Sequence, residues 1–177
     1  MREHDRRVLL LAIGVCLFLA AVDQTIITTA LPSILDQIGS IGDVSLLMNS
    51  YLVASVTFGP IYGKLSDVFG RRNILILAIL FFLLGSILAF LGNSPIELAC
   101  ARFIQGIGGG GLFVLAFTIA SDLAAPRNRS KVQGLFASVF GLASISGPFV
   151  GGLILEYFDW GWIFLFKIPF SIFSLLI

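Results

Sequence analysis

Long uncharged stretches alternate with short polar ones along the chain. Residues 8–35 carry a single charge, Asp23, and residues 44–63, 73–92 and 132–155 carry none. Residues 95–123 hold Glu97, Arg102 and Asp122, and residues 162–177 hold Lys167. Crossing about 30 Å of hydrocarbon takes roughly 20 mostly apolar residues as a helix. The pattern therefore predicts a tail over 1–7 and spans at about 8–35, 44–65, 73–92, 95–123, 132–157 and 162–177. At ~1.5 Å per residue the last run rises only about 24 Å, so the sixth span is expected to be truncated. The runs are too long for membrane strands and do not alternate, which excludes a strand-built barrel. The expected fold is an all-α membrane protein, a bundle of six helices.

Composition agrees. The chain is 58% hydrophobic and only 12% charged, with 17 Phe and a mean hydropathy of +1.03. A soluble domain is about a quarter charged, so this chain lacks the polar residues to cover itself in water. A net charge of +1 offers no basic stripe for nucleic acid. The first residues have the basic start and apolar run of a signal peptide. Leu19 spoils the small-x-small cleavage pattern, however, and the apolar run resumes past Asp23, so the segment reads as a retained first span. Cys16 and Cys100 lie in apolar stretches and read as buried small hydrophobes rather than a disulfide.

The connections set orientation. Arg2, Arg6 and Arg7 precede the first span. Lys64, Arg71 and Arg72 follow the second, and Arg127, Arg129 and Lys131 follow the fourth. The alternate loops hold Asp36, Asp43, Glu97, Glu156 and Asp159, with no Lys or Arg. The positive-inside rule makes the basic side, and the N-terminus, cytoplasmic. Tyr157, Trp160 and Trp162 then lie at the outer interface, where an aromatic belt belongs.

Asp23 sits about 22 Å of helix rise past Val8, too deep for its short side chain to reach either interface. An ionised group there costs at least ~2.5–3.5 kcal/mol, so it must be neutral, paired, or facing a watered cavity. It reads either as a titrating site or as a structural interhelix hydrogen bond. Arg102, which cannot usefully shed its proton, is the candidate partner; the alternative is that it reaches out to the headgroups. Gln105 lies one turn on, on the same face. The glycines from Gly106 to Gly111 have the small-xxx-small spacing of close helix contact. In "GKLSDVFGRRN", Asp67 and Arg71 are four apart and can pair, while Gly70 suits a turn needing positive φ. In the fifth span Ala137, Gly141, Ser144, Pro148 and Gly151 follow offsets of four and three and predict one small-residue stripe, with Gly147 four before Gly151.

Four stretches together resemble the major facilitator superfamily, in its drug:proton antiporter branch with fourteen helices. "DQTIITTALPSI" is similar to the branch's first-helix signature, with Asp23, Thr25, Ala30, Leu31 and Pro32 in register. "GKLSDVFGRR" resembles the loop motif, placing Gly63, Leu65, Asp67, Gly70, Arg71 and Arg72. "RFIQG" resembles the fourth-helix motif, giving Arg102, Gln105 and Gly106. "GLASISGPFVGG" resembles the antiporter motif of the fifth helix, with Gly141, Gly147, Pro148, Gly151 and Gly152. Three positions depart from the pattern: Val68 where a basic residue is common, Gly161 where Arg is expected, and Lys167 where Asn is expected. Lys167 would alter substrate preference or reach outward to the interface.

The resemblance implies the N-terminal six-helix bundle of a carrier in the cell membrane, working by alternating access. It would export small amphipathic or cationic compounds against protons, with a second, C-terminal bundle completing the pathway. Asp23 and Arg102 would face the central cavity, with Gln105 beside them. Asp67, Arg71 and Arg72 would form a gate latch. No cofactor or metal is implied, since no Walker-type phosphate loop is present. Two other classes compete: a half-carrier acting as a membrane interaction subunit, and a membrane enzyme. The enzyme has little support, because the sole histidine, His4, is in the tail. Orientation is directly testable. Asp43→Cys or Asp159→Cys should react with an impermeant thiol reagent from outside, and Asn128→Cys only from the cytoplasm; the reverse pattern would overturn the topology.

Overall fold

The computed structural model describes residues 3–39, 42–124 and 126–176. Arg2 and Ile177 lie outside them, as do the side chains of Arg6 and Arg7. Every element among the described residues is helical: α1 (Glu3–Ile38), α2 (Asp43–Phe69), α3 (Arg71–Leu91), α4 (Pro95–Leu123), a 3-10 turn (Pro126–Asn128), α5 (Arg129–Tyr157), α6 (Trp162–Leu165) and α7 (Ile168–Leu176). The five from α1 to α5 are each long and apolar enough to cross a membrane. Among α2 to α5, α4 alone starts with a side-chain cap. At α4, Ser94 accepts the Glu97 amide, Glu97 reaches back to the Asn93 amide at 2.9 Å, and Pro95 opens the helix.

The sixth apolar run is helical over Trp162–Leu165 and Ile168–Leu176, with a turn at 166–167 between them. Pro169, early in α7, has no N–H to offer the Leu165 carbonyl, so the backbone turns at 166–167 before α7 begins. Lys167 lies in that turn.

Two apolar cores stack along the bundle. One gathers Ile13, Leu17, Ala78, Phe82, Leu115 and Phe136; the other gathers Ile26, Ala30, Leu98, Ala143, Trp160 and Phe164. At the end of the bundle where α5 leads into α6, the Trp160 indole folds inward and donates to Gln37 Oε1 at 2.8 Å, while Tyr157 and Trp162 stay exposed. Cys16 is buried as expected, but Cys100 is not: it lies on the outer surface of α4.

Glycine lets α4 run close between α2 and α3. A Cβ on Gly106 would strike the Tyr51 carbonyl and one on Gly110 the Ser55 carbonyl, both on α2. A Cβ on Gly108 would strike the Phe82 amide, and one on Gly111 would lie 2.7 Å from Ala78 Cβ, both on α3. On α5, the predicted single stripe divides. Gly147 and Gly151 pack onto Thr25 and Ile26 of α1, whereas Ala137, Gly141 and Pro148 are exposed. The buried face is centred on Phe136, Ala143 and Gly147, about 100° round the helix from the stripe's middle at ~100° per residue. Gly108→Ala should therefore cost about 1–3 kcal/mol by overpacking. Gly134→Ala, with open space around it, should be neutral or stabilise by up to ~1 kcal/mol through helix propensity. Thermal unfolding of the two variants in detergent measures the difference.

Candidate functional site: a buried ion cluster

The two apolar cores meet near one level of the bundle, and the polar side chains collect there. On α3 the cores change over between Phe82 and Ala89, and Ser86 lies in the gap. On α4 they change over between Ala101 and Leu112, and Arg102 and Gln105 lie in that gap. Asp23 of α1 comes in from the opposite side.

Arg102 Nη1 donates to Asp23 Oδ2 at 2.6 Å and to Gln105 Oε1 at 2.7 Å. Gln105 Nε2 donates to Asp23 Oδ1 at 2.9 Å and to Ser86 Oγ at 2.8 Å. Ser86 in turn donates to the Phe82 carbonyl at 2.9 Å. The guanidinium also stacks on Tyr51, 4.3 Å from the ring centre. Lys167 completes the cluster: its ammonium pairs with Asp23 Oδ1, 4.8 Å from the centre of the Phe164 ring and 5.7 Å from that of Phe82. Exposure is 0% for Asp23, 2% for Arg102 and 1% for Lys167. One carboxylate thus faces two cations away from water. Two donors stay without a partner, Arg102 Nε and the Tyr51 hydroxyl.

Of the alternatives open to Asp23, the structure shows pairing: Arg102, Gln105 and Lys167 all donate to it. Asp23 and Arg102 meet inside this bundle, among α1, α3, α4 and the α6–α7 turn. Neither Arg102 nor Lys167 extends toward the headgroups. Lys167 was visible in the sequence as a charge in an apolar run, but nothing in its spacing indicated Asp23, 144 residues away. Ser86 and Tyr51 gave no signal, since a lone serine or tyrosine in a span is unremarkable until its neighbours are known.

A second ionic group lies at the α2–α3 turn. Gly70 has φ +90°, the region that favours glycine. The turn folds Arg71 back so that Nη2 meets Asp67 Oδ1 at 2.8 Å, Nε meets Asp122 Oδ2 at 3.0 Å, and Nη1 meets Ser66 Oγ. Ser66 itself donates to the Gly63 carbonyl at 2.7 Å. Asp122, at the end of α4, was seen in the sequence but not connected to this loop. Arg72 and Val68 are exposed. The α5 motif stands apart from both groups. Gly147 is filled by the Thr25 hydroxyl, which lies 3.3 Å from the Ala143 carbonyl, while Gly141 and Gly152 have open space around them.

The family model described as Major Facilitator Superfamily matches residues 13–177. The chain belongs to the Major Facilitator Superfamily. Among its relatives in that superfamily, it is 38% identical to "Multidrug resistance protein 3" of Bacillus subtilis, over 98% of this chain and 34% of that protein. It is 35% identical to "Multidrug transporter protein MdtP" of the same organism, over 99% and 32%, and 38% identical to "Efflux pump dotC" of Dothistroma septosporum, over 92% and 28%. The chain thus spans about a third of the length of these relatives. The fold is that of superfamily structures. A human organic anion transporter, MFSD10, matches with a TM-score of 0.81 at 21% identity, over 97% of this chain and 47% of that one. A bacterial homologue of the human lysosomal transporter Spinster matches at 0.80 and 21%, over 99% and 42%.

The two ionic groups differ in what they contribute to this superfamily bundle. Arg71, Asp122 and Asp67 are 30%, 53% and 64% exposed, and pairs of that kind are worth about 0–1 kcal/mol. Breaking a buried pair from one side costs about 3–5 kcal/mol. Arg102→Ala should accordingly destabilise the folded protein by about 3–5 kcal/mol, and Arg71→Ala by less than ~1 kcal/mol. Denaturation of both variants in the same detergent reads the contrast.

Proposed function

We propose that the chain forms the N-terminal bundle of a proton-coupled exporter of small amphipathic or cationic compounds. It sits in the cell membrane with its N-terminus cytoplasmic, and a C-terminal bundle of the same polypeptide completes the pathway. The relatives named as multidrug proteins and efflux pumps support the substrate class, and the basic connections support the orientation.

The observation that carries the coupling is the Asp23–Arg102 pair. It joins α1 to α4, the first helices of two three-helix repeats, at a depth where a charge is costly. A charge network of that kind responds to a proton, because adding or removing one changes the interaction across the repeat boundary by several kcal/mol. Gln105 and Ser86 hold the network's geometry. At the cytoplasmic end Gly63, Asp67, Gly70, Arg71 and Arg72 act as the gate latch; its weak, exposed pairs open at little cost and suit a contact that must break each cycle. On α5, Gly147 and Gly151 give close contact with α1. Gly141, Pro148 and Gly152 present a smooth outer face against which the second bundle moves.

Asp23→Asn tests the coupling. The amide offers one acceptor where the carboxylate met three donors, and it leaves both buried cations without a counter-ion. The variant should therefore lose at least as much stability as Arg102→Ala, about 3–5 kcal/mol, and its folding is verified in detergent before transport is read. In the complete carrier, reconstituted in vesicles, it should lose uphill, proton-driven export of a fluorescent lipophilic cation such as ethidium. Export against a gradient with unchanged pH dependence would show that coupling lies elsewhere.

A further inference from the structure

Charge balance in the buried cluster separates the group that anchors it from the group that carries the mobile proton. Among the described residues of the cluster there is one acid, Asp23, and there are two bases, Arg102 and Lys167, all at most 2% exposed. With every group ionised the cluster has one positive charge in excess, and an uncompensated charge in the interior costs several kcal/mol. Three protonation changes are conceivable. Adding a proton to Asp23 would raise the excess to two and leave both cations unpaired. A guanidinium does not deprotonate in proteins. Loss of a proton from Lys167 leaves a neutral cluster in which Asp23 and Arg102 still pair. We propose that Lys167 is the proton-carrying group of this bundle, with Asp23 and Arg102 as its fixed charged frame.

The surroundings fit that role. From α1 the ammonium meets Asp23; from α4, Arg102 occupies the other oxygen of the same carboxylate. α3 presents Ser86 and the Phe82 ring, neither charged, and α6 presents the Phe164 ring. On α2, Tyr51 faces Arg102. The charged residues of α5, Arg129, Lys131 and Glu156, are exposed at its two ends. Among the described residues Asp23 is thus the sole anion holding Lys167, and the two rings stabilise the ammonium without neutralising it. Lys167 also sits where the sixth apolar run breaks, in the turn before α7. In the step itself the Nζ–H bond breaks, its electron pair stays on nitrogen as the lone pair of a neutral amine, and the proton passes to water. The ion pair that pins the α6–α7 turn to α1 goes with it, so protonation is linked to the position of that turn. This deepens the proposal of proton-coupled export and rests on it for its role in the cycle, though not for the location of the proton.

The test is made on the full-length transporter in nanodiscs, without substrate. Proton uptake between alkaline and acidic buffer is counted with a pH indicator, and infrared difference spectra are taken over the same step. Lys167→Arg keeps the cation and the pair but cannot release the proton; Lys167→Asn removes both. Both variants should bind one proton fewer per chain than wild type. The wild-type spectrum should show no protonated-carboxyl stretch that Asp23→Asn removes. Equal uptake in wild type and Lys167→Arg, or a carboxyl band lost in Asp23→Asn, would overturn the proposal. Neither readout requires transport, so a protein that fails to export still decides the question. Should Lys167→Arg pump normally, the inference fails while export stands; a purely structural lysine is the case in which arginine rescues.

Discussion

A carboxylate that water cannot reach must be satisfied by the protein, and in this bundle that requirement organises everything near Asp23. Arg102, Gln105 and Lys167 all donate to it, from α4 and from the α6–α7 turn. With Ser86 of α3 held by Gln105, four elements distant in sequence are thereby tied together at one level of the bundle. Apolar packing alone would not place them so, because side chains against lipid and side chains against each other are nearly equivalent environments. The polar network supplies the directional term, and the two apolar cores on either side of it keep water out.

Close approach of the helices is what makes the network reachable. Arg102 and Gln105 open the glycine run of α4, and Gly106, Gly108, Gly110 and Gly111 let α2 and α3 come within backbone contact of that helix. Gly85 on α3 has no room for a side chain because the backbone of Gln105 occupies that space. Ser86, next in sequence, is then within 2.8 Å of the Gln105 amide. Removing a methyl group at each of these sites shortens the interhelix distance enough for short side chains to meet. The glycines and the ionic cluster are therefore one construction, in which packing sets the distances and charge sets the partners.

The bundle contrasts a tight interior with loose margins. The Arg71 group is partly exposed and weak, and α2 and α5 leave most of their surface uncovered. The division fits the proposed rocking against a second bundle, in which each half moves as a body and its inner ties are stronger than the contacts it breaks.

Much of this was legible in one dimension. Apolar runs set by bilayer thickness announced the spans, the distribution of Lys and Arg pointed to the expected sidedness, and four spaced motifs indicated the superfamily. Asp23, Arg102 and Gln105 stood out because a polar group at membrane depth needs a reason. The Gly70 turn and the Asp67–Arg71 pair followed from residue type and a spacing of four. Other features were decided only by the tertiary structure. Lys167 and Asp122 were visible as charges, but the partner of a charge is a matter of which helices adjoin, and local spacing carries no record of neighbours a hundred residues away. The α5 stripe split because rotation of a helix about its axis is set by what packs on it, here Thr25 and Ile26 of α1. Cys100 faced outward for the same reason: in an apolar helix hydrophobicity does not distinguish inside from outside, because lipid and core attract the same side chains, and only packing assigns the face.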